Sequence, residues 1–297
     1  MPAMTDVLVA GSANLDLVVR TARLPAPGET VLGRDFAAHP GGKGANQAVA
    51  CARAGGAPTR MLLALGDDAN AAVLEASLAT AGVRQHVVRA ADVATGVALI
   101  GVADDGENSI VVASGANMAL RPEHLPPMDG VGHLLMQLES PLESVAAWAR
   151  QARAAGVTVV LNAAPATALP EGFLADVDVL VVNEVELAQL SPGGGDVEAA
   201  MRRLGVPVVI ATLGVQGCVA LTPQGVVRQP AYAVTVVDTT AAGDTFCGAL
   251  VAALARRRSW PEALRRASAA AALACTRAGA QSSIPTQAEV DRLVEGA

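Results

Sequence analysis

The chain has 297 residues, 52 % of them hydrophobic, and a formal net charge of −7. That length accommodates one large α/β domain or two smaller ones, and either buries a sizeable core. The acidic balance excludes the footprint of a nucleic-acid partner, and the short apolar runs, broken by Gly, Pro or charge, fall well below the roughly 20 residues of a membrane span.

No basic region followed by an apolar core opens the chain, so no signal peptide is expected and a soluble cytoplasmic protein is. Its one basic cluster, Arg256-Arg257-Arg258, falls at the end of a predicted helix, where cations complement the dipole. Cys51, Cys218, Cys247 and Cys275 form no Cys-x-x-Cys and lie in apolar segments, so buried free thiols are expected rather than disulfides or a zinc site.

Asp6 to Gly11 reads as a buried first strand, with Asn14 and Asp16 at its carboxyl end, the ligand edge of an open α/β sheet. Residues 17 to 40, interrupted by Pro25, Pro27, Gly28 and Gly33, suggest strands outside the main sheet. Pro40 to Ala48 is a glycine-rich turn opening a helix that stops before Gly55-Gly56. A strand over 59 to 65 and a helix over 70 to 81 follow in βαβ rhythm. Thr95 to Ala103 and Asn108 to Ala113 flank an Asp-Gly turn and read as a hairpin. A hairpin does not belong in a parallel sheet. Segments 14 to 40 and 95 to 114 are therefore assigned to a small β-sheet lid on a single domain spanning 1 to 297. Strands at 133–138, 157–161, 177–182 and 207–212 then alternate with helices at 142–155, 184–190 and 197–204, and a second hairpin covers 217–230. The β-branched run Val234 to Val237 reads as a strand feeding a helix from Gly243 to about Arg257, with helices at 261–276 and 287–294 after it. The expected fold is α/β: a doubly wound, mostly parallel sheet flanked by helices, with a small lid.

The junction at 238 to 244 carries the chemistry. A helix N-terminus presents unpaired N–H groups and partial positive charge, and Ala241, Ala242 and Gly243 leave them open to an anion. Asp244 in the first turn either complements the dipole or acts as a base beside that anion site. As a base it would take a proton from a hydroxyl while the N–H groups hold charge on a transferred phosphoryl group. Phe246, Ala249, Leu250, Ala253 and Leu254 form the core face of this helix.

The turn at 41 to 44 is not a Walker A loop, because Ala37 stands where its first Gly belongs and Gly44 replaces the Ser or Thr. No G-x-G-x-x-G follows the first strand, which removes a dinucleotide fingerprint. Gly41 to Gly44 make a tight turn, or Lys43 and Asn46, flanked by glycines, present donors to sugar hydroxyls. Asn14 and Asp16 suit a polyol. Asn183 and Glu186 read as a helix cap or as holders of hydrated Mg²⁺ against phosphate, and Glu139 is a further carboxylate on the ligand edge.

In this order, Gly41 to Ala48, Leu134 to Ser144, Asn183 to Glu186 and Asp238 to Asp244 together resemble the PfkB carbohydrate kinase family, over nearly the whole chain. The resemblance implies ATP-dependent phosphorylation of D-ribose at O5. Its alternatives are the same chemistry on deoxyribose, fructose or a nucleoside, and sugar binding without catalysis. It implies Asp244 as general base, and the backbone of Ala241, Ala242 and Gly243 as anion hole. Asn14, Asp16, Gly42, Lys43, Asn46 and Glu139 would hold the sugar. Asn183 and Glu186 would act at magnesium, through water, and at the phosphates. Thr212, Leu213, Gly214, Val215, Gln216 and Gly217, with Gly243 and Ser268, would border ATP. A monovalent cation, K⁺, would be held by side-chain oxygens of Asp238 and Ser283 and by carbonyls of Thr240, Ala274, Arg277 and Gly279. The lid, whose hairpin edges need covering, would pair two subunits into a homodimer. Two departures carry expectations. Ala241 takes a place where the family often has Gly, so its backbone is expected to have no need of positive φ. Aromatic residues are 2 % of the chain, so stacking on the nucleobase is expected to be sparse and ATP affinity modest.

Overall fold

Alternate residues of the first strand, β1 (Asp6–Ala10), enter different cores: Val7 and Val9 one, Leu8 and Ala10 the other. A strand buried on both faces belongs at the centre of a helix-covered sheet. The fold, a computed structural model, describes residues 5–296. After β1 the chain leaves the body through β2 (Asn14–Thr21) and β3 (Asp35–Gly41) and returns in α1 (Lys43–Arg53), β4 (Thr59–Leu65), α2 (Ala69–Thr80) and β5 (Arg84–Arg89). A hairpin of β6 (Gly96–Ala103) and β7 (Asn108–Ala113) comes next. The alternation resumes in β8 (Val131–Met136), α3 (Leu142–Ala154), β9 (Thr158–Asn162), β10 (Val179–Asn183), α4 (Glu184–Leu190), α5 (Val197–Arg203) and β11 (Val208–Thr212). Hairpin β12 (Cys218–Thr222) and β13 (Gly225–Gln229) precedes α6 (Ala242–Ala255), α7 (Trp260–Ala274) and α8 (Gln287–Glu295).

Nine strands form the main sheet in the order β13-β12-β11-β10-β9-β8-β1-β4-β5, parallel from β11 through β5 and antiparallel at β11-β12-β13. Residues of α1, α2, α6, α7 and α8 pack into the core on one face, and those of α3, α4 and α5 into the core on the other. This is the doubly wound, mostly parallel sheet expected from the sequence. A second sheet of four strands, ordered β3-β2-β6-β7, gathers the segments assigned to a lid. Side-chain alternation gives it two unlike faces. Asp16, Val18, Arg20, Ile100 and Val102 line a cleft of about 550 Å³ against the body, while the register turns Val19, Phe36, Leu99 and Val111 the other way.

Three readings need correction. Val234 to Val237 is not a strand: it runs without a ladder, and Val237 N–H donates instead to Cys275 O at 2.8 Å. β-branched residues favour extended backbone, but a strand also needs a neighbour to bond to, and the chain supplies none there. Strand β5 was missed because it is a sheet edge, bounded by Arg84 and Arg89 with only Val87 and Val88 as apolar signal. Helix α6 has no polar face: from Asp244 to Ala253 every residue is buried, so the five-residue core stripe was too narrow.

The two helices at the centre, α1 and α6, touch backbone to backbone. A Cβ on Gly248 would stand 2.5 Å from both Ala50 Cβ and Gln47 O, so only glycine fits this crossing. Gly248→Val is expected to lower the free energy of unfolding by about 1–3 kcal/mol, the usual range for overpacking, as read by denaturant titration.

Candidate active site

Gly42 turns the end of β3 into α1 with φ 86°, where a Cβ would meet Asn14 N at 2.6 Å. That tight turn brings Lys43, Asn46 and Gln47 of α1 against the start of α6. Asp244 is 7 % exposed, yet both its oxygens are satisfied: Oδ2 accepts from Asn46 Nδ2 at 3.0 Å and Oδ1 from Gln47 Nε2 at 2.9 Å. Asn46 Oδ1 is buried and has no protein partner among the described residues. The Lys43 ammonium is held protonated chiefly by the charge of Asp244, against burial, with help from Glu139 and Glu186.

The first turn of α6 is open. Ala242 N–H bonds to Thr239 O at 3.2 Å, whereas those of Ala241, Gly243 and Asp244 have no acceptor among the described residues, and a Cβ on Gly243 would meet nothing within 4 Å. Ala242 is thus less free than expected of an anion-hole member. Ala241 overturns its expectation outright: φ is 58° and ψ 10°, the left-handed region. The loop must reverse direction to aim the N–H groups into the cleft, and the alanine adopts the turn in spite of its Cβ.

Asn14 and Asp16 share a face of β2. Asn14 Oδ1 accepts from Asn117 Nδ2 at 2.7 Å, and Gly96 makes room for that pair. Asp16 packs on Gly41, where a Cβ would lie 2.1 Å from Oδ2. Its carboxyl is 8 % exposed and pushed up to about 7, first by burial, then by the charges of Glu139 and Asp244. Glu139 itself accepts Ser12 Oγ at 2.5 Å and Lys43 N at 3.2 Å, at the positive end of α1.

Asn183 and Glu186 form the reciprocal cap: Glu186 N–H to Asn183 Oδ1 and Asn183 N–H to Glu186 Oε2, both 2.8 Å. Burial raises the Glu186 carboxyl, opposed by the Asn183 N–H and Lys43 and reinforced by Asp244. A cap does not remove the pair from the site, since both line a cavity of about 210 Å³ with Lys43, Thr212, Gly243 and Asp244.

A neighbouring cavity of about 300 Å³ is bordered by Thr212, Gly214, Val215, Gly217, Gly243 and Ser268. Leu213 and Gln216 do not line it: Leu213 packs on the core of the opposite face, and Gln216 is exposed. The chain's single tyrosine, Tyr232, and Phe246 also line this cavity, so two of the six aromatic side chains stand where a nucleobase could use them.

Asp238 accepts Thr240 N–H at 2.8 Å on one oxygen and Gly279 N–H at 2.9 Å on the other. Burial opposes its charge, but those hydrogen bonds outweigh it and hold the carboxyl below its ordinary value. Ser283 Oγ donates to Ala280 O at 2.8 Å, and Ala274 O accepts Arg277 N–H at 3.2 Å. The Arg277 guanidinium is paired with Glu289 at 2.5 Å, so that residue has only its backbone to offer toward Asp238.

Sequence reasoning assigned no role to Ser12, Gln47, Asn117, Gln137 or Asn162, all buried polar residues next to the cluster. The available signal was a polar side chain at the end of an apolar strand, as in Gln137 and Asn162.

The model of the pfkB family carbohydrate kinases matches residues 4–287. The chain is 40 % identical to the ribokinase of Haemophilus influenzae over 97 % of its own length and 98 % of the relative's. Among solved structures it is similar to the ribokinase of Thermotoga maritima, with TM-score 0.91, 34 % identity and coverage of 98 % and 99 % of the two chains. It is also similar to Arabidopsis thaliana ribokinase complexed with ribose and ATP, with TM-score 0.88, 34 % identity and 99 % coverage of each.

The position of Asp16 generates a stability prediction. Its folded-state value, about 7, lies above the ordinary 3.8, so the folded protein binds the extra proton and this group's contribution to stability is lost as pH rises from about 4 to about 7. Asp16→Asn is expected to flatten that part of the pH dependence and raise the unfolding midpoint of the ligand-free protein at pH 8, measured by thermal unfolding across the range.

Proposed function

This chain belongs to the pfkB family of carbohydrate kinases, and from that premise we propose that it transfers the terminal phosphoryl group of ATP to O5 of D-ribose. The observation that carries the reading is Asp244, a buried carboxylate fixed by Asn46 and Gln47 beside the open N–H groups of α6. Asp244 takes the O5 proton as the bond to phosphorus forms. The N–H groups of Ala241 and Gly243 hold charge on the transferred group, and Lys43 adds a full positive charge. Asp16, nearly buried and without a hydrogen-bond partner among the described residues, accepts sugar hydroxyls together with Asn14, and a hydroxyl also satisfies the orphaned Asn46 Oδ1. Tyr232, Phe246 and Ser268 border the adenine.

Magnesium bound with ATP supplies neutralisation of phosphate charge. Among the described residues no three His, Cys, Asp or Glu side chains gather into a metal group, which fits an ion held through water and phosphate. Asn183 and Glu186 are the residues for those waters, since Glu186 accepts the Asn183 N–H on Oε2 and leaves Oε1 without a partner among the described residues. The all-oxygen set of Asp238, Ser283 and the carbonyls of Thr240, Ala274, Arg277 and Gly279 suits K⁺. Asp238 already ties the 238–241 loop to Gly279, and a cation between them would hold the strained Ala241.

No helix among the described residues is long and apolar enough to cross a membrane, and the cysteines are free thiols, so this reading sets the enzyme in the reducing, ATP-containing cytoplasm. A homodimer through the lid completes it. On the outer face of that sheet Phe36, Leu99 and Val111 are 67 %, 52 % and 62 % exposed, an apolar surface that a second copy would cover.

Ribose-dependent release of ADP with Mg²⁺ tests the proposal. Wild-type protein is expected to turn over and to slow when K⁺ is replaced by a large organic cation, and Asp244→Asn to lose roughly 10²-fold in kcat. Near-normal turnover of that variant would remove Asp244 as base. Light scattering is expected to give twice the chain mass, and Phe36→Asp together with Val111→Asp to give the monomer mass.

A further inference from the structure

Asp244 is held by more than residues that would meet a sugar. Gln47 Nε2, which donates to Asp244 Oδ1, gives its other hydrogen to Asn162 Oδ1 at 3.0 Å, and Gln47 Oε1 accepts from Gln137 Nε2 at 2.6 Å. Gln47 is 0 % and Gln137 1 % exposed, so water does not substitute for these bonds. The direction of the relay is forced. An ionised carboxylate only accepts, so Gln47 presents its nitrogen to Asp244, its carbonyl then faces Gln137, and Gln137 has to donate. Gln137 is in turn seated against Gly11, where any Cβ would stand 1.9 Å from Gln137 Oε1. The relay therefore runs from the residue after β8, packed on Gly11 with its own Oε1 unpartnered among the described residues, through α1 to the first turn of α6.

We propose that Gln47, oriented by Gln137, is a positioning residue for phosphoryl transfer: it fixes the rotation of the Asp244 carboxylate, leaving the remaining lone pairs for the sugar hydroxyl. The proposal rests on Asp244 being the base. Two effects oppose each other when the donor is lost. A carboxylate deprived of an N–H donor is in general a stronger base, which favours proton abstraction, but Asp244, left with Asn46 alone, is less firmly held in rotation. Orientation wins, because small misplacements at a reacting centre cost up to about 10²-fold in rate.

Gln47→Met, which keeps length and bulk without donors, is expected to lower kcat by about 10-fold while leaving the KM for ribose within about 2-fold. Gln137→Met, one bond further away, is expected to lower kcat by less, again with the KM for ribose within about 2-fold, and supplies the reading should Gln47→Met fail to fold. Unchanged kcat in the folded variant overturns the proposal, and so does a KM for ribose raised as much as kcat is lowered, which is what mere loosening of the site gives. Asp244→Asn separates the two claims. If it retains turnover the base assignment itself fails. If it is inactive while Gln47→Met and Gln137→Met behave as wild type, only the relay fails.

Discussion

Taking a carboxylate out of water is tolerated only where hydrogen bonds replace the water, and Asp244 obtains both of its replacements from a different helix. That requirement sets the arrangement of the centre of the molecule. Asn46 and Gln47 reach Asp244 only because α1 and α6 meet at van der Waals distance, which Gly248 permits. α1 in turn begins where it does because Gly44 lies on the backbone of Gly11 and Ser12, where a Cβ would approach Ser12 N to 2.6 Å. The glycines at the turn and in the helix serve one purpose, to bring two backbones close enough for short amide side chains to bridge them.

Around that pair the charges are deliberately unequal in fate. Lys43 sits among Asp244, Glu139 and Glu186 and is stabilised as a cation, while Asp16 is pushed toward its neutral form by burial and by the same carboxylates. Glu139 accepts Ser12 and the Lys43 N–H, and Asp244 accepts two amides, whereas Asp16 accepts no hydrogen bond from the described residues and is the carboxyl that most lacks a partner. A site that destabilises its own ligand-free state in this way gains from any partner that supplies hydroxyl donors.

The loop before α6 stores a second, smaller strain. An alanine in the left-handed region costs about 1–2 kcal/mol relative to ordinary backbone. It persists because Asp238 staples the loop to Gly279, and Thr245 N–H closes back on Ala241 O at 2.8 Å. The reward is a helix end whose N–H groups point into the cleft with no side chain over Gly243.

Much of this was legible in the chain. Apolar runs such as Val7 to Ala10 and Val179 to Val182 announce buried parallel strands because both faces are covered, and Asp105-Gly106 announces the hairpin of the second sheet because that turn demands such residues. The family followed from local motifs, which name Lys43, Asn183, Asp238 and Asp244 without any knowledge of distance. What the sequence could not supply is every property that depends on a neighbour far along the chain. Val234 to Val237 has strand composition and no strand to pair with; Ala241 has an ordinary side chain and a left-handed backbone imposed by the turn it must make. Gln47, Gln137 and Asn162 are unremarked polar letters until folding joins Gln137 and Asn162 to Gln47 across 90 and 115 residues of chain, and Gln47 to Asp244 across 197. Periodicity and turn chemistry are local, so the sequence determines them; hydrogen-bond partners and backbone strain are set by packing, so only the tertiary structure decides them.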